Sequence, residues 1–329
     1  MTTPAAPVAD PSSVGSPGSA QPAAPARRRG ARGAQLSLLL FVLPALTLFV
    51  GLVLLPMLLG IYTSLFKWNG LGGMPSNFVG LDNFVRLLSD DVFIGDLKRS
   101  LVLVLLSVVV QLPVALALAL LLNQPLRFRG LYRLIFFAPY VLSEVITGIL
   151  FTMVLSPRGG LVNRLFELVG VAGQTWLSQP DSVLYVLFFV TSWKYFGFHM
   201  ILYLAGRQEI PVELTEAAMM EGANRWQIFR HITLPLLGPT IRVSVFLSII
   251  GAIQLFDIVW VLTGGGPIHA SETMAVTMFQ YGFRRYEVGY ASAISVAIFG
   301  ISLVFALVYQ RFVLRRDIEG AVTKAGALG

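Results

Sequence analysis

The chain has 329 residues, 56% hydrophobic and 12% charged, with a mean hydropathy of +0.75, a balance that belongs to a membrane protein. Its formal charge of +7 and pI near 9.9 raise nucleic acid as a partner, but no basic stripe interleaved with aromatics stands in a soluble-looking segment. The absence of cysteine excludes disulfides and cysteine-based metal or nucleophile chemistry.

Residues 1–33 are rich in Ala, Pro, Ser and Gly and end in Arg27, Arg28, Arg29 and Arg32. Such a segment cannot bury a core and is expected to be a disordered arm. The run Ala34 to Phe66 holds no charge and is too long for a cleaved signal sequence, so it is kept as span 1. Lys67 to Arg99 reads as a loop with one short helix. Span 2 covers Ser100 to Leu122 and is expected to be interrupted at Pro113. After a linker with Arg127, Arg129 and Arg133, span 3 covers Leu134 to Leu155 with Glu144 near its centre. Span 4 is Ser182 to Leu204, containing Lys194. Span 5 runs from Pro239 to Leu262, with Asp257 near its far end. Span 6 is Val288 to Tyr309, and 314–329 form a basic tail. The predicted class is therefore all-α, a polytopic membrane protein of six transmembrane helices over 34–313, with a core over 95–313.

Six spans put both termini on one side of the membrane. That side collects 15 of the 24 Lys and Arg residues, and the positive-inside rule makes it the cytoplasm.

The sequence lacks a phosphate-binding G-x-x-x-x-G-K-[ST] loop, H-E-x-x-H and G-x-S-x-G, and its three histidines show no metal-ligand spacing. Transport is therefore preferred over catalysis. Glu144, Lys194 and Asp257 lie within spans, where an unpaired charge costs about 2.5–3.5 kcal/mol, so each needs a partner or a water-filled cavity. A Lys194–Asp257 or Lys194–Glu144 pair holding the bundle together is preferred over direct substrate contact. On span 5, Ser248, Gly251, Ala252, Leu255 and Val259 share a helical face, with Asp257 on the opposite side. Packing is the default for Gly251 and Ala252, and Ser248 is the stronger substrate candidate. Thr191, Tyr195 and Gln254 are further polar candidates, while Trp176, Trp193 and Trp260 read as interfacial or packing aromatics.

Between spans 4 and 5 lies a more polar segment, residues 211–239. Pro211 suits the start of a helix, and Val212 to Met220 contains no Gly or Pro to interrupt it. Leu214, Ala217, Ala218 and Glu221 fall on one side, and the small alanines there admit close approach of another backbone. Gly222 supplies a turn, Asn224 and Gln227 form a capping pair, and a second short helix presents Trp226, Phe229 and Ile232 before ending at Pro235. Pattern alone leaves two readings open: an interfacial helix pair packed on its own bundle, or a protein docking loop.

Glu216-Ala217-Ala218, Gly222 six residues after Glu216, and then Ile232, Leu234 and Pro235 resemble the EAA loop of the membrane-spanning permease subunits of binding-protein-dependent ABC importers. Glu221 stands where that family often has Asp. Phe78-Val79-Gly80-Leu81-Asp82-Asn83-Phe84, Ile210-Pro211, Phe256-Asp257, Leu262-Thr263-Gly264-Gly265-Gly266-Pro267 and Glu272-Thr273 resemble the sugar-importing, maltose-transporter-like branch. The likeness covers residues 36–313.

The resemblance implies a type I importer permease fold and a heterodimer with a second homologous permease. It also implies two cytoplasmic ATPases docked on the EAA loop through Glu216, Ala217, Ala218, Gly222 and Pro235, and an extracytoplasmic sugar-binding protein. It places substrate contacts on the face of Ser248, Gly251, Ala252 and Leu255. The expected setting is the lipid of a bacterial cell membrane, with no cofactor bound by this chain and ATP hydrolysed by its partners. Two rivals stand beside a sugar as cargo: glycerol phosphate or another polyol derivative in the same machine, and an ion-coupled secondary transporter using Glu144, Lys194 and Asp257.

Overall fold

The computed structural model describes residues 31–314, whose regular structure is helical apart from an isolated β-bridge between Phe66 and Phe78. The expected arm 1–33 and tail 314–329 lie outside the described residues, save 31–33 and 314. The chain divides into two units, residues 1–56 and 57–329. In the first, α1 (Ala31–Phe49) leads into a π turn at Val50–Leu54.

The second unit holds most of α2 (Leu55–Thr63), followed by α3 (Asp82–Ser89), α4 (Asp91–Leu106) and α5 (Leu112–Leu122). The Asp90 side chain caps α4 by accepting from the Val92 N–H, so the helix starts well before the expected Ser100. Nor does Pro113 interrupt it. A π turn at Ser107–Gln111 carries the helix through, the Leu112 N–H reaching back to the Ser107 carbonyl. The same device precedes Pro56, where Leu55 N–H bonds the Val50 carbonyl, and Pro235, where Leu234 N–H bonds the Phe229 carbonyl. A proline ring collides with the carbonyl four residues before it, and a wide turn at that point makes room. Pro235 accordingly sits inside a continuing helix instead of ending one.

Span 3 is not a straight crossing. It is α6 (Arg129–Val141) and α7 (Glu144–Val154), bent by 100° at extended Leu142 and Ser143. Ser143 Oγ caps α7 by accepting from the Ile146 N–H, which places Glu144 in the first turn of a new helix instead of mid-span. After α8 (Leu161–Leu168), α9 (Pro180–Gln208) runs for 29 residues and is the post on which the unit is assembled. α5 and α6 both pack along it. At Gly197 the α6 backbone rests directly on α9: a Cβ there would lie 2.0 Å from the Phe136 carbonyl oxygen, so no larger residue fits without moving a helix.

α10 (Val212–Met220), α11 (Arg225–Ile228) and α12 (Leu234–Leu236) form the polar segment, and α13 (Gly238–Ile253) leaves it at 65°. The chain breaks again at Gln254–Phe256, before α14 (Asp257–Leu262). α15 (Met274–Phe279) and α16 (Val288–Tyr309) close the unit. Its main core joins Leu187 and Val190 of α9, Phe151 of α7, and Ile258, Val259 and Leu262 of α14.

Among the described residues three helical stretches, Leu40–Thr63, Asp91–Leu122 and Val288–Leu314, are long and apolar enough to cross a membrane, or five if each sharply bent pair is one crossing. The expected count of six also needs α9. At 1.5 Å per residue it reaches about 43 Å, more than a bilayer core of ~30 Å, but the polar side chains it carries inward, Lys194 and His199 among them, dilute its apolar character.

Candidate functional site

The two breaks, after α6 and after α13, face the middle of α9, and together they enclose a cavity of about 420 Å³. α13 and the break beyond it contribute Ser248, Gly251, Ala252, Gln254 and Leu255, and α9 contributes Thr191 and Tyr195. All seven residues nominated from the sequence as a substrate pathway therefore line one space. Ala252 and Leu255 are also part of the main core, so they offer it only an edge.

The polar groups around the cavity are not equally free. Thr191 Oγ1 donates to the Leu187 and Phe188 carbonyls of its own helix, at 2.9 and 3.0 Å. The Tyr195 hydroxyl donates to Glu144. His199 Nδ1 meets Ser244 Oγ at 2.7 Å, and Gln111 Oε1 accepts from Ser192 Oγ at 3.4 Å. Asp257 also lines the cavity. It is exposed there, with no hydrogen bond or ion pair among the described residues.

Two expectations about charges are corrected. Lys194 makes no direct ion pair with Glu144 or Asp257 among the described residues, though the Glu144 charge acts on it through space: buried to 3% exposure, its Nζ donates to the carbonyl oxygens of Leu142 and, at 3.4 Å, Tyr140. The bend after Val141 strips these carbonyls of helical partners, and the ammonium fills the vacancy at the end where the helix dipole favours a cation. Asp257 does not oppose Ser248 across a helix. The rotation of 100° per residue that would put it there stops at Gln254, and Phe256, at φ −131° and ψ −65°, turns the chain so that Asp257 opens α14 facing the same cavity. Val259, expected on the substrate face, is fully buried in the core instead.

Ser107 and Gln111, which also line the cavity, went unnoticed in the sequence. With Leu103 they recur every fourth residue through an apolar run, a polar pair on one face that could have been found. Tyr140 was hidden because it enters only through the bend. Its ring stacks on Phe198 at 4.9 Å and gives the cavity an aromatic side. The three tryptophans do pack: Trp176 Nε1 donates to Asn163 Oδ1 at 2.9 Å, Trp193 meets Phe151 at 5.1 Å, and Trp260 meets Phe279 at 4.7 Å.

The segment 211–239 forms a second surface. α10 ends in a Schellman motif: the Gly222 N–H bonds the Met219 carbonyl at 3.0 Å and the Ala223 N–H bonds the Ala218 carbonyl at 2.9 Å. Gly222 sits at φ +84°, which an L side chain rarely adopts. The Asn224–Gln227 capping box then starts α11, with both reciprocal bonds present at 2.9 and 2.7 Å. Trp226 and Phe229 do share a side, their rings 5.4 Å apart, whereas Ile228 is the buried anchor. A groove of about 360 Å³ runs between the short helices, lined by Ala218, Glu221, Gly222, Gln227, His231 and Ile232. Glu216, Ala217 and Pro235 are exposed beside it, and Met220 is 89% exposed.

A helical membrane-spanning chain with broken helices around a polar cavity, and a capped surface helix pair between two of its spans, defines a transport component. Residues 111–318 match the family described as binding-protein-dependent transport system inner membrane component, and the chain belongs to that family. It is 35% identical to a probable ABC transporter permease protein of Pyrococcus horikoshii over 276 residues, covering 83% of this chain and 94% of that protein. It is 34% identical to the trehalose/maltose transport system permease protein of Thermococcus litoralis, covering 83% and 92%, and 34% identical to the lactose transport system permease protein of Rhizobium radiobacter, covering 84% and 93%. Among solved structures, a bacterial ABC transporter involved in import of the acidic polysaccharide alginate superposes with a TM-score of 0.77 at 27% identity, over 86% of this chain and 96% of that one. The fold is that of a type I ABC importer permease.

Proposed function

We propose that this chain is the membrane-spanning permease subunit of an importer for a saccharide, working as a heterodimer with a second homologous permease. An external solute-binding protein delivers the sugar, and two separate ATPase subunits drive transport from the cytoplasmic side, where both termini also lie. The observation that carries the reading is the pairing, in one family member, of a cavity lined by hydroxyl, carboxylate and aromatic groups with an exposed groove between two capped short helices. Maltose- and lactose-type names among the relatives support a sugar, and the solved alginate transporter with its periplasmic protein supports delivery from outside. On this reading the chain hydrolyses nothing itself. Glu216, Ala217, Ala218, Gly222 and Pro235 couple it to the ATPases, while Ser248, Gly251, Thr191, Tyr195 and Gln254 line the route, with Ala252 and Leu255 at its edge.

How the groove transmits force follows from its build. The Schellman turn at Gly222 fixes the angle between α10 and α11, so a partner gripping α10 moves both helices and, through the π turn at Phe229–Thr233, the start of α13. Gly222→Pro imposes φ near −65° where +84° is required. The expected result is loss of ATPase co-purification and of ATP-driven uptake in proteoliposomes, with sugar capture by the binding protein intact. Survival of both association and uptake would refute the docking model.

A further inference from the structure

We propose that this chain's side of the cavity selects an uncharged saccharide and repels the acidic, sulfated or phosphorylated counterpart, with Asp257 as the free acceptor for sugar hydroxyls. The inference rests on the importer reading above and names its substrate class. Sharing a fold with the alginate importer leaves the matter open, since that transporter carries an acidic cargo.

Three observations carry it. Two carboxylates, Glu144 and Asp257, line the cavity, and no Lys or Arg is among the described residues that do so. Lys194 stands behind the lining: its Nζ is held by the Tyr140 and Leu142 carbonyls, 6.0 and 5.4 Å from the Tyr140 and Tyr195 ring centres, and its charge acts on Glu144 and leaves Asp257 without a cation among the described residues. An anionic cargo would meet like charge at Asp257 with no Lys or Arg among the described lining residues to offset it, in a site where the low dielectric strengthens repulsion.

The second observation is the different states of the two acids. Glu144 already accepts from Tyr195, whereas Asp257 accepts no hydrogen bond among the described residues. A carboxylate left open to a cavity can take donors that arrive with the ligand, and sugar hydroxyls are donors that form strong charge-assisted bonds to it. Third, the stacked Tyr140 and Phe198 rings in the lining offer an apolar surface suited to the C–H side of a pyranose, which supports a saccharide as the cargo.

The test is purification of the intact complex with its binding protein, identification of the captured saccharide by mass spectrometry, and ATP-driven uptake of that saccharide by proteoliposomes. Wild type is compared with Asp257→Asn, Asp257→Glu and Glu144→Gln. We expect an uncharged saccharide, uptake reduced about tenfold or more in Asp257→Asn, and uptake within about threefold of wild type in Asp257→Glu, with all complexes assembled. A uronate, sulfate or phosphate ester carried by wild type would overturn the charge proposal and leave the importer reading standing. Wild-type uptake in both Asp257→Asn and Glu144→Gln, or failure of Asp257→Asn to assemble, would overturn it equally. Absence of ATP-dependent uptake of any saccharide would instead overturn the importer reading.

Discussion

Asp96 and Asp257 are both aspartates on helices of the same unit, held in opposite ways. Asp96, on α4, is fully buried, and both its oxygens are used: Arg99 Nη2 and Thr277 Oγ1 each approach to 2.5 Å. Arg99 in turn donates from Nε to the Glu272 carbonyl at 2.8 Å, so one carboxylate ties α4 to α15 and to the loop before it. Asp257 is exposed to the cavity and makes no tie among the described residues. The difference separates a charge that holds the fold from a charge available to a ligand: a buried ion needs an opposite charge or hydrogen-bond partners, whereas one with neither persists only where water or a ligand reaches it.

The largest predicted effect breaks that comparison directly. Asp96→Ala leaves Arg99 without its carboxylate in a mostly buried place, and unfolding in detergent should become easier by about 3–5 kcal/mol. Asp257→Ala should stay within about 0.5 kcal/mol of wild type. Equal losses of thermal stability in the two variants would mean that the cavity acid is structural after all.

A middle case sharpens it. Lys194 lies behind the cavity but bonds only backbone carbonyls, so Lys194→Met orphans the freed end of α6 and should cost about 1–3 kcal/mol in the same measurement. Uptake should fall as well, because Tyr140 and Glu144 flank the bend that Lys194 holds. A variant as stable as wild type would show that the bend needs no ammonium.

The smallest effect concerns the paired type again, at Asp90. Burial pushes this carboxyl up, but hydrogen bonds from Tyr290, the backbone N–H groups of Val92 and Phe93, and Tyr281 outweigh it and hold the group below the usual carboxylate value. Tyr290 is the strongest of these donors, at 2.7 Å. A lowered folded value means that Asp90 contributes its full stability above the ordinary carboxylate range near 3.8, and that this is lost as pH falls through the lower folded value. Tyr290→Phe should therefore lower stability most above the carboxylate range, shrink the difference as pH falls through it, and move the acid-unfolding midpoint to higher pH. An unmoved midpoint would remove Asp90 from the acid limb.

How far these arrangements could be read from sequence varied with their range. The capping box at Asn224 and Gln227, the turn at Gly222 and the helix Val212–Met220 were all legible, because each is decided by a few neighbouring residues. Ser248, Thr191 and Tyr195 were legible as polar residues within apolar runs. The side on which Asp257 lies was not, since the reading continued helical rotation across Gln254–Phe256, where no Pro or Gly marks the break. The bend after Val141 did leave a trace, Pro139 followed by the capping Ser143, but it was outweighed by an apolar run long enough to look like one span.

The sequence by itself determined that this chain is helical and membrane-spanning, that the polar segment 211–239 folds as two capped short helices, and that its motif belongs to an importer permease. Those properties follow from apolar length, backbone freedom and caps, which act within one or two helical turns. Only the tertiary structure decided which charges are satisfied: that Lys194 serves the carbonyls of Tyr140 and Leu142, that Tyr195 takes Glu144, and that Asp257 is left open to the cavity. Pairing is settled by which backbone groups a bend sets free and which side chain, some fifty residues along the chain, arrives to bond them.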